Sequence, residues 1–177
     1  MAVGSVIGKT LNLGYPGTVS RSADAIIENR PVRSTDTTNI NFGAAVVLNS
    51  DNTYSLFGAS NTAADFAGVA VREVKQSTDY LLSSQGGYYA PGQPCDVLER
   101  GSVTVTCTEG TPAAGGPVYI VTVAGSGAVS QVGDFVATST PAGTGSTAVE
   151  LTNAQWKTGN LDANNTAEIT ITSRNKA

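Results

Sequence analysis

Few residues in this sequence are placed to do covalent chemistry. None of the 177 residues is a histidine, which removes the commonest general base, the usual Ser-His-Asp constellations and most zinc and iron sites. Serine and cysteine nucleophiles therefore lack their ordinary partner. A Ser-Lys pair would have to draw on Lys9, Lys75, Lys157 or Lys176, none of which has a recognisable setting. Gly4-Ser-Val-Ile-Gly8-Lys9-Thr10 approaches a phosphate-binding loop. That loop, however, needs four residues between its glycines, with a strand before it and a helix after it. Here three residues separate the glycines and three precede Gly4, leaving no room for the strand.

Asp96 and Glu99 come nearest to a carboxylate pair. Their odd spacing on a strand sends them to opposite faces, whereas glycoside hydrolysis needs both carboxyls in one cleft, roughly 5–10 Å apart. They read as solvated charges at a strand end. Arg72 and Glu73 also face apart and suit cross-strand pairing. Tyr88 and Tyr89 fit either a carbohydrate platform or an interface anchor, and the glycines before them and prolines after favour loop packing or an interface. Asn164-Asn165-Thr166 is a glycosylation sequon, which matters only in a secreted chain. No catalytic, cofactor-binding or metal-ligating residues emerge.

The elements that must position any binding surface are strands. Val103, Val105 and Cys107 alternate with Thr104, Thr106 and Thr108, a period of two that puts an apolar set on one face and a threonine ladder on the other. Thr111–Pro117 holds two prolines and two glycines and must turn. Val118–Val123, rich in β-branched residues, is the next strand, so Pro91–Val123 reads as a long hairpin on which other strands are built. Further strands are expected at 43–48, 53–57, 66–75 (Val69 and Val71 on one face, Ala70 and Val74 on the other), 79–82, 125–131, 134–138, 148–156 and 167–172. With no convincing long helix, about ten short strands predict an all-β fold, a compact jelly roll or barrel.

Composition agrees. Hydrophobic residues make up 40% of the chain but charged residues only 14%, well below the usual quarter, so polar turns replace charged helical surfaces. The net charge of −4 argues against a nucleic-acid partner, and no stretch is long and apolar enough to span a membrane. Met1–Thr10 lacks the charged start and apolar run of a signal peptide. Cys95 and Cys107, read as lying in neighbouring strands, are therefore expected as reduced thiols, although a disulfide would follow if they faced each other.

The first 40 residues differ from the rest. Gly4, Gly8, Gly14 and Gly17 interrupt every pattern, and Gly14-Tyr15-Pro16-Gly17 is a turn signal. Residues 20–29 fit a short helix capped by Ser22 or a short strand, and Pro31 ends either one. Residues 1–33 carry four basic and two acidic residues, the remainder six and twelve. We therefore read residues 1–40 as an extended, basic N-terminal arm suited to an acidic surface, and residues 41–177 as the β body.

Several stretches together resemble the structural cement (capsid decoration) proteins of tailed bacteriophages. They are Gly14-Tyr-Pro-Gly-Thr-Val-Ser-Arg-Ser-Ala-Asp-Ala-Ile-Ile-Glu-Asn-Arg-Pro-Val32, Phe66-Ala-Gly-Val-Ala-Val-Arg-Glu-Val74 and Tyr89-Ala-Pro-Gly-Gln-Pro-Cys-Asp-Val-Leu-Glu-Arg-Gly-Ser-Val-Thr-Val105. The turn Thr111-Pro-Ala-Ala-Gly-Gly-Pro-Val-Tyr119 and the stretch Ala167-Glu-Ile-Thr-Ile-Thr-Ser-Arg174 complete the set, in order along most of the chain. The resemblance lies in overall pattern rather than a chemical signature. It implies a non-enzymatic virion protein without cofactors, made in the bacterial cytoplasm, that binds the exterior of the matured head. Its partner would be the phage major capsid protein, and it would self-associate as a dimer or trimer. The resemblance names no contact residues. From the arm's chemistry we select Tyr15, Arg21, Ile26, Ile27, Arg30 and Arg33. The isoleucines would supply buried area, unless they pack back on the body, and the arginines would supply bidentate carboxylate contacts. The alternative is a carbohydrate-binding or other phage structural β-sandwich module.

Overall fold

The computed structural model describes residues 13–72 and 87–175. Eleven strands account for nearly half of them: β1 (Val19–Pro31), β2 (Ile40–Asn41), β3 (Ala45–Leu48), β4 (Tyr54–Leu56), β5 (Phe66–Ala70), β6 (Tyr88–Tyr89), β7 (Pro94–Glu109), β8 (Pro117–Val123), β9 (Phe135–Val136), β10 (Thr147–Trp156) and β11 (Thr166–Ile171). The all-β, barrel-like expectation holds. The ambiguous stretch before Pro31 is a strand, and the expected strand at 79–82 lies outside the described residues. Residues 125–131 form a loop with a single bridge, Ser126 to Thr144.

The strand β7 organises the molecule, but not as one arm of a hairpin. The two-residue β9 sits between β7 and β8, parallel to β7 and antiparallel to β8. Apolar Phe135 and Val136 are both buried there. Since β8 pairs β10, β10 pairs β11, and β11 returns to β7, these five strands form a closed circuit without free edges. Its interior holds Val103, Val105, Cys107, Val118, Ile120, Leu151, Trp156, Ile169 and Ile171, so the predicted alternation of β7 does face a core.

The first half of β7 serves a second body of strands. Val97 and Leu98 pair with Ala70 and Val69 of β5, which continues into β3 and β4. On the opposite edge β7 carries β1, from Pro31 opposite Pro94 to Val19 opposite Val103. Between Leu98 and Arg100 one residue of β1 faces two of β7, so Glu99 is the extra residue of a bulge. The bulge shifts the side-chain phase by one. Cys95 and Val97 lie in a separate core with Val32, Ile40, Val46, Tyr54, Ala70 and Tyr89, whereas Leu98 and the later Val103 face the barrel core. Gly101, at φ +121°, supplies the backbone freedom next to it. β5 is sandwiched between the two cores and is buried at every residue; as expected, Val69 and Val71 face one and Ala70 the other.

The two cysteines are not in neighbouring strands. Both lie on β7, twelve positions apart, which no disulfide can span. They are free and buried, one in each core.

Candidate interaction surface

Gly14-Tyr15-Pro16-Gly17 forms a turn held by three hydrogen bonds to Thr104 and Arg72. The Gly17 amide donates to the Thr104 carbonyl at 2.7 Å, and the Gly17 carbonyl accepts from the Arg72 amide at 2.8 Å. The Thr104 hydroxyl donates to the Tyr15 carbonyl at 2.6 Å. Gly17 has φ +84°, and a Cβ there would lie 2.8 Å from the Gly43 nitrogen and 2.9 Å from the Ala70 oxygen, so only glycine fits. This accounts for part of the threonine ladder: Thr104 is 1% exposed because the turn covers it. The Tyr15 ring, by contrast, is 62% exposed, and the Arg72 guanidinium lies 4.4 Å from its centroid. An exposed aromatic ring stacked by a cation, on a turn tied by hydrogen bonds to its neighbours, is preorganised for contact.

The other residues selected from the arm do not gather around Tyr15. On β1, Arg21 lies opposite Ser102, and its side chain is outside what is described. Ile26 is half-buried opposite Arg100, and Ile27 is 45% exposed. Arg30 donates to Asn52 and lies 5.7 Å from the Tyr54 ring. The Arg33 Nε sits 3.3 Å from the Asp51 carboxylate. Thr53 and Arg33 together hold the Asp51 carboxyl below the usual carboxylate range. Arg30 and Arg33 thus bind the β3–β4 turn from within the chain. β1 nevertheless pairs only with β7 among the described residues.

Two buried charge clusters went unnoticed in the sequence. Glu99 is not a solvated strand-end charge: it is 3% exposed, because the bulge turns it inward. It accepts from the Tyr54 hydroxyl at 3.0 Å and from Arg174 Nε at 2.9 Å, and Arg174 also reaches Glu28 of β1 at 2.9 Å. Burial, followed by the Glu99 charge, pushes the Tyr54 phenol well above its ordinary range. Asp96 instead accepts from the Asn29 amide at 2.6 Å. In the second cluster, Lys157 donates to the Ser102 hydroxyl at 2.8 Å and pairs with Glu168 at 3.2 Å, while the Ser20 hydroxyl donates to Glu168. This is a Ser-Lys contact, but an ammonium held by a carboxylate is no base, and Ser102 is only 4% exposed. Both clusters fasten β1 or the C-terminal strands to β7.

Tyr88 and Tyr89 do not share a platform. Tyr88 is 45% exposed, whereas Tyr89 is buried, donates to the Val71 carbonyl at 2.7 Å and packs edge-on against Phe42 with ring centroids 5.1 Å apart. The phosphate-loop-like segment 4–10 lies outside the described residues, as do Glu73 and Val74. Sequence reasoning missed Arg72 as the partner of Tyr15. Its only signal was the strand pattern that brings residues 70–72 beside the glycine turn.

The barrel and its strapped-on strands have known counterparts. The chain matches the XM1 gp53 minor capsid protein family model over residues 4–171. Its fold matches a chain from the capsid of Myoviridae phage XM1 with a TM-score of 0.68 at 18% identity, covering 97% of this chain and 98% of that one. No curated protein matches in sequence. The match over nearly the whole chain identifies this all-β protein as a member of the XM1 gp53 minor capsid protein family, a structural component of the phage capsid.

Proposed function

We propose that this protein binds the outer surface of the mature phage head and cements neighbouring major capsid protein subunits, without catalytic activity. The observation that carries this reading is the Tyr15–Arg72 pair. Exposed tyrosine and arginine are the side chains that most often dominate protein interfaces, and here the glycine-locked turn removes the ordering cost of presenting them. The functional division runs near residue 40. Residues 1–40 supply the grip, through Tyr15, β1 with its exposed Ile27, and the basic residues Arg21, Arg30 and Arg33; residues 41–177 supply the rigid body. Self-association as a dimer or trimer would multiply a modest single contact through effective concentration on the lattice.

The test is co-sedimentation with expanded, undecorated heads, comparing the full chain with Tyr15→Ala and with a chain lacking residues 1–33. Saturable binding by the full chain, weakened in both variants, supports cementing through the arm. Absence of binding to matched heads overturns it. A second reading, carbohydrate binding, draws on a polar cleft of about 530 Å³ lined by Arg33, Asp36, Asn49, Ser55 and Asn61. Its aromatic residue, Phe57, is 1% exposed and offers no ring face for stacking a sugar. Glycan-array binding would favour that reading.

A further inference from the structure

A cavity of about 290 Å³ opens between the 41–44 turn, the threonine face of β7 and the loop before β9. Asn41, Thr106, Thr108 and Asp134 give it polar walls, and Phe42, Leu56, Val132 and Phe135 give it apolar ones. Asp134 is its one charged lining residue. The Asp134 Oδ2 takes the Gln131 amide at 2.8 Å. Burial raises the Asp134 carboxyl above its ordinary range, and the nearby Glu109 adds to the rise, while the Gln131 amide and the Thr108 hydroxyl oppose it. Glu109 is itself occupied by Ser130 and by the Ala142 amide. The cavity adjoins the tyrosine anchor: Gly43 lines it, and a Cβ on Gly43 would lie 2.5 Å from Pro16 of the Tyr15 turn.

A partly desolvated carboxylate at the wall of an open, apolar-sided cavity is matched by a long side chain with an apolar stem and a cationic head. We propose that this cavity receives a lysine or arginine side chain of the capsid shell protein, next to the Tyr15 contact. The chain's own charges select a foreign donor over a second copy. Of the basic side chains described, Arg30, Arg33, Arg100, Lys157 and Arg174 are engaged by Asn52, Asp51, Asp24, Glu168 and the Glu28–Glu99 pair, and Arg72 stacks on Tyr15. The inference rests on the capsid-binding reading for the donor's identity, but not for the cavity's preference for a cation.

That preference is measured without a capsid. N-acetyl-arginine methylamide is titrated into the isotope-labelled full chain, with the neutral citrulline analogue as control and Asp134→Asn as variant. The expected result is saturable amide shifts at Thr106, Thr108 and Asp134 with the arginine probe, weakened about tenfold in Asp134→Asn and with the citrulline analogue. Equal binding of both probes, or no shift at these amides, overturns the assignment. Asp134→Asn is isosteric, and an unchanged amide spectrum elsewhere shows it folded. Co-sedimentation of Asp134→Asn with expanded heads supplies the second arm. A loss of affinity comparable to that with the probe supports a shell donor, and undiminished affinity overturns it. If even the unaltered chain fails to bind heads, the cementing role falls, while the probe titration still judges the cavity.

Discussion

The two halves of β7 lead different structural lives. From Gly101 onward it is a stave of a closed barrel, with strands on both edges and an aliphatic core beneath. Before Glu99 it carries an open extension: β5, β3 and β4 on one side, β1 on the other, over a second core capped by Tyr54 and Tyr89. The barrel has no edges to offer a partner, and closure is how β folds avoid unwanted association. Edges, the Arg-rich strand and the exposed Tyr15 belong to the extension and its border. One strand thus separates a closed part built to hold its shape from an open part with strand edges and exposed side chains.

The largest effect is expected in the barrel. Trp156→Ala empties a site 1% exposed and should cost about 3–5 kcal/mol, read as a lowered urea midpoint for the whole molecule. Arg174→Ala should cost about 3 kcal/mol, because it leaves Glu99 buried without its cation. The loss should appear first as faster amide exchange along β1 and only later in the barrel. Simultaneous exchange in both regions would erase the distinction between them. Pairing Arg174→Gln with Glu99→Gln should recover part of the loss, since the uncompensated charge is gone. Gly17→Ala forces a side chain into a left-handed, closed position. It should cost about 1–3 kcal/mol locally and weaken head binding through a displaced Tyr15.

Asp134→Asn sharpens the comparison through pH. The folded carboxyl is raised above its unfolded range, so the folded state holds the proton more tightly. Stability therefore falls as pH rises from the ordinary carboxylate range through the folded value, and the penalty is complete above it. The asparagine variant should match the parent at low pH and exceed it at neutral pH, as measured by thermal melts across that window. The smallest effect on folding belongs to Tyr15→Ala, at under about 0.5 kcal/mol by urea unfolding. Its loss should appear in capsid affinity alone.

The sequence made the strands legible wherever polar and apolar side chains alternate, even where both faces end up buried. Thr104 and Val105, or Glu168 and Ile169, announce their faces by alternation. The expected strand at 134–138 is present as the two-residue β9, but its position between β7 and β8 was not legible, because two residues carry no period and barrel closure decides where they pair. The sequence also misplaced Glu99. The adjacent Val97 and Leu98, out of step with Val103, and the glycine at 101 are the only local signs of a bulge, and a shift of one residue turns a solvated charge into a buried one. The Arg174–Glu99 and Lys157–Ser102 contacts join residues 75 and 55 positions apart, a distance over which no local pattern speaks. The turn at Tyr15 was legible from its glycines and proline; what Tyr15 stacks on was not.

The bonds between the two ends of the described chain bear on how the protein is made. Leu13 bonds to Asp162, Ser20 to Glu168 and Glu28 to Arg174, across 149, 148 and 146 positions. A ribosome emits residues 13–31 long before these partners exist, and the strand's main partner, β7, also comes late. The segment bearing Tyr15 and β1 must therefore wait, unpaired, through most of synthesis. Long-range closure of this kind slows folding and leaves an edge open to mispairing. Its counterpart is a checkpoint: the Tyr15 turn acquires its fixed shape only after β7 has been synthesised and the strands around it have closed, so a half-made chain does not display the finished turn.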